Sequence, residues 1–285
     1  VADPFRRPVG VFLQGGGALG AWQIGALDAL TGAGLEFASV MGYSIGVVNG
    51  SALAFGRLGE ALERWRALDG GVMRLRPRLR PPALCCSTPL YGLFEPTRDE
   101  AAARATLKCD FTIMTACPAD GVSVNARFTP QGRDGWDGPM IDHLAASCAI
   151  PLVFPPIDVD FRGRRVRLVD GGVPMPQPPD FGPLAACADV LVLEMGRADE
   201  IREFAWTPWT ALDRGGRRAG RLIVDRGVAG LLRAENPPRV YRLHPSRRLK
   251  PMMLDFRGKH AAPMLEQGRA DARALLAEPE AWRAR

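Results

Sequence analysis

Lysine is nearly absent from this chain. Of 37 basic residues only Lys108, Lys250 and Lys259 are lysine, so the formal charge of +6 is carried almost wholly by arginine. Two readings of that charge stand open: a bias of composition, or an attraction to anionic lipid surfaces and acidic substrates. Nucleic acid is not indicated as a partner, because no binding motif and no basic patch interleaved with aromatics accompanies the charge. Histidine is equally scarce. His143, His244 and His260 are scattered, and Cys85, Cys86, Cys109, Cys117, Cys148 and Cys187 include no C-x-x-C pair. No metal cluster is therefore legible, and no cofactor is expected. Adjacent Cys85 and Cys86 suit a disulfide framework poorly, so the six are read as reduced, mostly packed thiols.

Long apolar runs are missing too. No stretch approaches the roughly 18 residues of a membrane span, and Val1 to Arg7 has no signal-peptide apolar core. No Ser/Gly linker or low-complexity tract divides the 285 residues, 47% of which are hydrophobic. The expectation is one domain over residues 1–285, cytoplasmic, with peripheral contact to a membrane; nothing in the sequence sets the oligomeric state.

What is present is an order of elements. Val9 to Leu13 reads as a buried strand, followed by a glycine run, Gly15-Gly16-Gly17-Ala18-Leu19-Gly20, and a helical pattern from Ala21 to Leu30. Phe37 to Met41 is a second short strand, and Ile45 to Phe55 a buried helix. This β–loop–α–β–turn–α order predicts an α/β fold with a mostly parallel central sheet. A helix over 56–68 follows. The stretch from Arg74 to Pro82 alternates arginine with leucine and proline and predicts an exposed loop, with 74–93 a candidate lid or flap touching lipid headgroups. Phe111 to Ala116 and Val122 to Phe128 read as strands, Asp142 to Ala149 as a helix, and Ile157 to Phe161 with Arg164 to Val169 as a hairpin around Arg162-Gly163. A central strand at 189–195, arginine-rich helical sequence over 196–238, a late strand at 240–243 and a terminal helix at 262–277 complete the chain.

The most informative residue is Ser44. Gly42-Tyr43-Ser44-Ile45-Gly46 falls where the strand pattern gives way to the helix pattern, which is the layout of a nucleophile elbow. Gly42 and Gly46 clear the space around the serine, and the helix start aims free N–H groups at it. A serine hydroxyl needs a base. Neither His244 nor His260 lies in a glycine-flanked turn at a strand end. Asp170 does: it ends a strand and precedes Gly171 and Gly172, so its carboxylate has room to act. The loop of Gly15, Gly16 and Gly17 is the candidate oxyanion hole, since backbone N–H groups there can converge on an anion.

Together, Gly15-Gly16-Gly17-Ala18-Leu19-Gly20, Gly42-Tyr43-Ser44-Ile45-Gly46 and Asp170-Gly171-Gly172 resemble the three signature blocks of the patatin-like phospholipases. A fourth block, Ala146-Ser147-Cys148-Ala149-Ile150-Pro151 with Phe154-Pro155-Pro156, is similar to the segment before the aspartate motif, and Leu265-Glu266-Gln267-Gly268 resembles the closing helix of bacterial members. The resemblance runs from Val9 to about Pro178. It implies a three-layer α/β/α sandwich and a serine acyl hydrolase of the lipase or phospholipase A type. In such an enzyme Ser44 attacks the ester, Asp170 serves as base, Gly15, Gly16 and Gly17 hold the oxyanion, and water resolves an acyl-enzyme without a metal. Two positions depart from the pattern. Leu19 stands where many members carry arginine or lysine, which leaves backbone amides alone to hold the oxyanion. Tyr43 and Ile45 are bulkier than the usual neighbours of the nucleophile.

Three rivals remain at this stage. Gly15, Gly17 and Gly20 with Glu36 can be read as a dinucleotide fingerprint of an oxidoreductase, although Glu36 precedes the second strand instead of ending it. An ordinary α/β-hydrolase would use one of the histidines. A lipid-binding or regulatory protein would keep the fold without turnover.

Overall fold

Val9–Leu13 (β1) is apolar at every position because both faces of this strand are covered. Val11 and Leu13 belong to one hydrophobic cluster and Phe12 to another, and the neighbouring strands alternate in the same way. The computed structural model describes residues 4–68, 73–197 and 207–284, except the side chains of 208 and 209.

After β1 come α1 (Gly20–Gly32), β2 (Ser39–Gly42), α2 (Ile45–Ala54) and α3 (Leu58–Arg66). The middle of the chain supplies β3 (Leu75–Leu79), β4 (Pro82–Cys85), α4 (Thr88–Leu93), α5 (Glu100–Thr106), β5 (Asp110–Cys117), β6 (Val122–Phe128) and α6 (Met140–Ser147). Then follow β7 (Ile157–Phe161), β8 (Arg164–Asp170), β9 (Asp189–Leu193), α7 (Pro208–Leu232), β10 (Arg239–Leu243) and α8 (Ala261–Ala277). The main sheet runs β10-β9-β1-β2-β5-β8-β7, with β6 also paired to β5. Its first five strands are mutually parallel, and β6, β8 and β7 add antiparallel pairs. One face packs on α1, α2, α3, α6 and α8, the other on α7. This is the expected α/β/α sandwich with a mostly parallel sheet.

One pairing matters for function. β6 takes one edge of β5 from Phe111 to Cys117, so β2 and β8 must share the other edge. β2 covers it up to Gly42 opposite Ile113, and β8 begins where β2 stops, with Asp170 opposite Thr115. The carboxyl ends of β2 and β8 thus meet head-on. Gly42 and Asp170, 128 positions apart, come together because one strand is the template for both.

The stretch expected to be a loop differs. Residues 75–85 form an antiparallel hairpin, β3 with β4, because alternating Arg and Leu or Pro is a period-two pattern that an extended strand accepts even with proline on an exposed edge. The short helices α4 and α5 were not expected. α5 is capped by Asp99, whose carboxylate accepts from the Ala101 and Ala102 N–H groups at 3.1 Å. Of the helical sequence expected over 196–238, residues 208–232 form α7, and 198–206 lie outside the described residues. None of the six cysteines is in a disulfide, and five of them are buried.

Candidate active site

The elbow is tight because the end of β1 passes directly behind it. A methyl group at Gly46 would lie 2.1 Å from the Leu13 carbonyl oxygen, and one at Gly42 2.8 Å from the same atom. Ser44 takes up the turn with φ 54° and ψ −133°, a left-handed conformation that a side chain rarely adopts. Its strain is held by α6. The Ser44 N–H donates to both the backbone carbonyl and the hydroxyl of Ser147 at 3.0 Å, and the Ser147 hydroxyl donates to the Met114 carbonyl at 2.7 Å. The Cys148 thiol adds a contact to the Ser44 carbonyl at 3.5 Å.

Asp170 is 4% exposed. Its Oδ1 accepts from the Gly172 N–H at 2.7 Å, while Oδ2 has no hydrogen bond of normal geometry among the described residues. Burial pushes its pKa up to about 7, against the opposing pull of the Ser44 hydroxyl and the Gly172 amide, both of which favour the charged form. Serine and carboxylate are therefore neighbours, in the loose geometry usual before a substrate tightens it.

The glycine loop packs on the same turn: a methyl at Gly15 would sit 2.7 Å from Ser44 Cβ and 2.5 Å from the Tyr43 ring. Gln14, Ala18 and Leu19 donate their backbone N–H groups to Leu193, Met253 and Gly16 carbonyls. The Gly15, Gly16 and Gly17 N–H groups donate to no group among the described residues, and the Tyr43 hydroxyl beside Gly15 has no hydrogen bond of normal geometry among them. Gly17, at φ 55°, lines the cavity into which Ser44 opens. That cavity is about 190 Å³ and is walled by Ile45, Val48, Phe55, Trp65, Leu90 and Phe154, with Leu254 and Phe256 closing it from the C-terminal side.

Tyr43 is buried beneath the site. Desolvation, with Asp170 close by, holds its hydroxyl far above its ordinary pKa, so it is a neutral phenol. Gln14, which sequence reasoning passed over, locks the loop by accepting from the Met195 N–H at 2.9 Å. Ser147 was quoted only as part of a motif block; its grip on Ser44 depends on a contact 103 residues away in sequence, which no local signal announces.

The histidines sit elsewhere. His143 is buried against Phe128 and Phe161, and burial lowers its pKa to about 4. His244 packs on Trp282, and His260 lies 3.4 Å from Asp255. None hydrogen-bonds to Ser44 or Asp170. Glu36 is paired with Arg7, and its neighbour Ala38 bonds to Val9 at the start of β1, the sheet end opposite the glycine loop, where a ribose partner would be out of reach.

Residues 11–179 match the sequence profile of the family described as patatin-like phospholipase, and the chain belongs to that family. Among curated proteins it is 29% identical over 201 residues to NTE family proteins of Mycobacterium bovis and Mycobacterium tuberculosis, themselves described as uncharacterized. The match covers 68% of this chain and 51% of each relative, so the chain spans about half the length of the curated relatives it matches. Among solved structures, VipD from Legionella pneumophila superposes with a TM-score of 0.45 at 12% identity, covering 94% of this chain and 66% of that one. The type III effector ExoU gives 0.46 at 14%, covering 99% and 55%.

Proposed function

We propose that this chain hydrolyses carboxylic esters of lipids through Ser44 and Asp170. The observation that carries the reading is the meeting of a strained, cavity-facing serine with a buried carboxylate poised near neutral pH. In the reaction, Asp170 takes the hydroxyl proton as Ser44 Oγ bonds to the ester carbonyl carbon. The oxyanion that forms accepts from the N–H groups of the Gly15, Gly16 and Gly17 loop. Loss of one such donor typically costs about 3 kcal/mol of transition-state stabilisation. The tetrahedral adduct collapses, the alcohol leaves with the proton from Asp170, and the acyl group stays on Ser44. Water then attacks the acyl-enzyme, with Asp170 again the base, and releases the acid. The unpaired N–H groups of Gly15, Gly16 and Gly17 support their role as donors.

The apolar lining supports an acyl chain as the group that enters. A cavity of roughly 150 Å³ already admits benzene, so this one suits a chain of moderate length. Membership in a phospholipase family agrees with a lipid ester.

Hydrolysis of p-nitrophenyl esters of several chain lengths tests the reading. Ser44→Ala and Asp170→Asn should each lower kcat/KM by at least about a thousandfold, since base and nucleophile act as one unit. Wild-type inactivity on every ester would favour a lipid-binding protein without turnover, and activity surviving Asp170→Asn would remove the proposed base.

A further inference from the structure

The β3–β4 hairpin takes no part in the site, and its surface is unlike the rest. Four of the seven large apolar side chains exposed among the described residues gather there: Leu79 at 90%, Leu75 at 77%, Leu152 at 66% and Leu84 at 49%. Arg74, Arg76, Arg78 and Arg80 are interleaved with them, and β3 is exposed at every position. Elsewhere exposed arginines meet carboxylates, as in Arg162 with Asp137, Arg165 with Asp160 and Arg167 with Asp158. The four hairpin arginines form no ion pair among the described residues, and no acidic residue occurs between Met73 and Phe94. Apolar side chains that would be costly to leave in water thus stand beside uncompensated positive charge.

The hairpin is anchored at the rim of the cavity. The Leu84 and Cys85 N–H groups donate to the Leu152 and Val153 carbonyls at 2.9 and 2.8 Å. Met73 before it, Leu90 after it, and Ile150 and Phe154 around its anchor all line the cavity into which Ser44 opens. Period two places Leu75, Pro77 and Leu79 on one face of β3 and Arg76 and Arg78 on the other, an apolar strip far short of the roughly 20–30 residues a side of a stable protein interface. Alternating leucine and arginine instead suits a bilayer interface, where leucines enter the acyl boundary and guanidinium groups stay among phosphates.

We propose that the β3–β4 hairpin docks on the surface of an anionic phospholipid bilayer and sets the cavity mouth against it. The docking stands on the hairpin alone; that it delivers the ester to Ser44 rests on the function proposed above.

Cosedimentation with vesicles tests the docking, using the Ser44→Ala chain so that no lipid is consumed. It should pellet with vesicles of equal parts phosphatidylcholine and phosphatidylglycerol, and bind phosphatidylcholine alone at least about tenfold more weakly. Leu75→Ser with Leu79→Ser, and separately Arg76→Glu with Arg78→Glu, should each weaken binding to the mixed vesicles by about tenfold or more. With Ser44 restored, both double variants should hydrolyse a soluble p-nitrophenyl ester like the wild type, which shows that they fold. The proposal is overturned if the chain partitions onto no anionic vesicle, the result expected of a hairpin that serves an acidic protein instead, or if both variants bind like their parent. Hairpin-dependent vesicle binding without hydrolysis of any ester would leave the docking standing and remove the hydrolase reading.

Discussion

Asp170 carries the clearest conflict between stability and use. A carboxyl with an ordinary pKa of 3.8 is held at about 7 because its charged form is buried. Between those values the folded chain keeps a proton that the unfolded chain has lost, so stability declines as pH rises through about 4 to 7 and stays lower above it. Asp170→Asn removes that penalty. Chemical denaturation should find the variant more stable than wild type at pH 8, on the order of 2–4 kcal/mol at about 1.4 kcal/mol per pKa unit, with the gap closing toward pH 4. The same ionisation governs the base. Wild-type kcat/KM on a soluble ester should rise with pH about a midpoint near 7, and a profile flat from pH 5 to 9 would mean that Asp170 does not act as base. Ser44 is strained in the same cause: its left-handed backbone lifts the hydroxyl into the cavity, and Ser147 keeps it there.

At the scale of elements, the site depends on close crossings. Helix α8 lies against α1, and a methyl at Gly268 would be 1.9 Å from the Trp22 carbonyl oxygen. Nearby, the Trp22 indole donates to buried Asp271 at 2.8 Å and ties the two helices again. Because α1 begins at the glycine loop, its seating sets where Gly16 and Gly17 present their amides. Gly268→Val should push α8 off α1, lowering stability by about 2–3 kcal/mol in urea unfolding, and should reduce kcat on soluble esters more than it raises KM. A variant with wild-type stability would show that this crossing tolerates a side chain. The sandwich of α1, β1, β2 and α2 was legible because each element carries its own periodicity and its own glycine punctuation. The hairpin at 75–85 was not: its period-two alternation is short and interrupted by Pro77, Pro81 and Pro82, which argue for a loop, and its pairing is seen only once its anchor on Leu152 and Val153 exists.

Over the whole molecule, the cavity is an assembly. Its walls come from α2, α3, α4, the segment around Ile150 and Phe154, and Leu254 and Phe256, stretches spread over some two hundred residues of chain. No local pattern could give its size. Ala52 lines it from α2 and is small enough to enlarge. Ala52→Phe should shift the preferred p-nitrophenyl ester toward shorter chains while leaving activity on the shortest within about threefold, since a bulkier wall removes room without touching Ser44. An unchanged chain-length profile would mean that the acyl group lies elsewhere.

The sequence by itself determined the nucleophile candidate, the glycine loop and the β–loop–α–β–turn–α order along the chain that calls for a mostly parallel sheet. Each of these is a local matter of steric permission: glycine where backbone must approach, apolar residues where both faces are covered. It also singled out Asp170 as a strand-end carboxylate with room beside it, and the resemblance joined Asp170 to Ser44. What only the tertiary structure decided is their adjacency, through two strands sharing one edge of β5; the raised pKa of Asp170, through burial; the seating of the glycine loop, through the Ala18 N–H bonded to the Met253 carbonyl; and the hairpin at the cavity rim. Those depend on contacts between residues far apart in the chain, and distance in sequence carries no record of proximity until the sheet has formed.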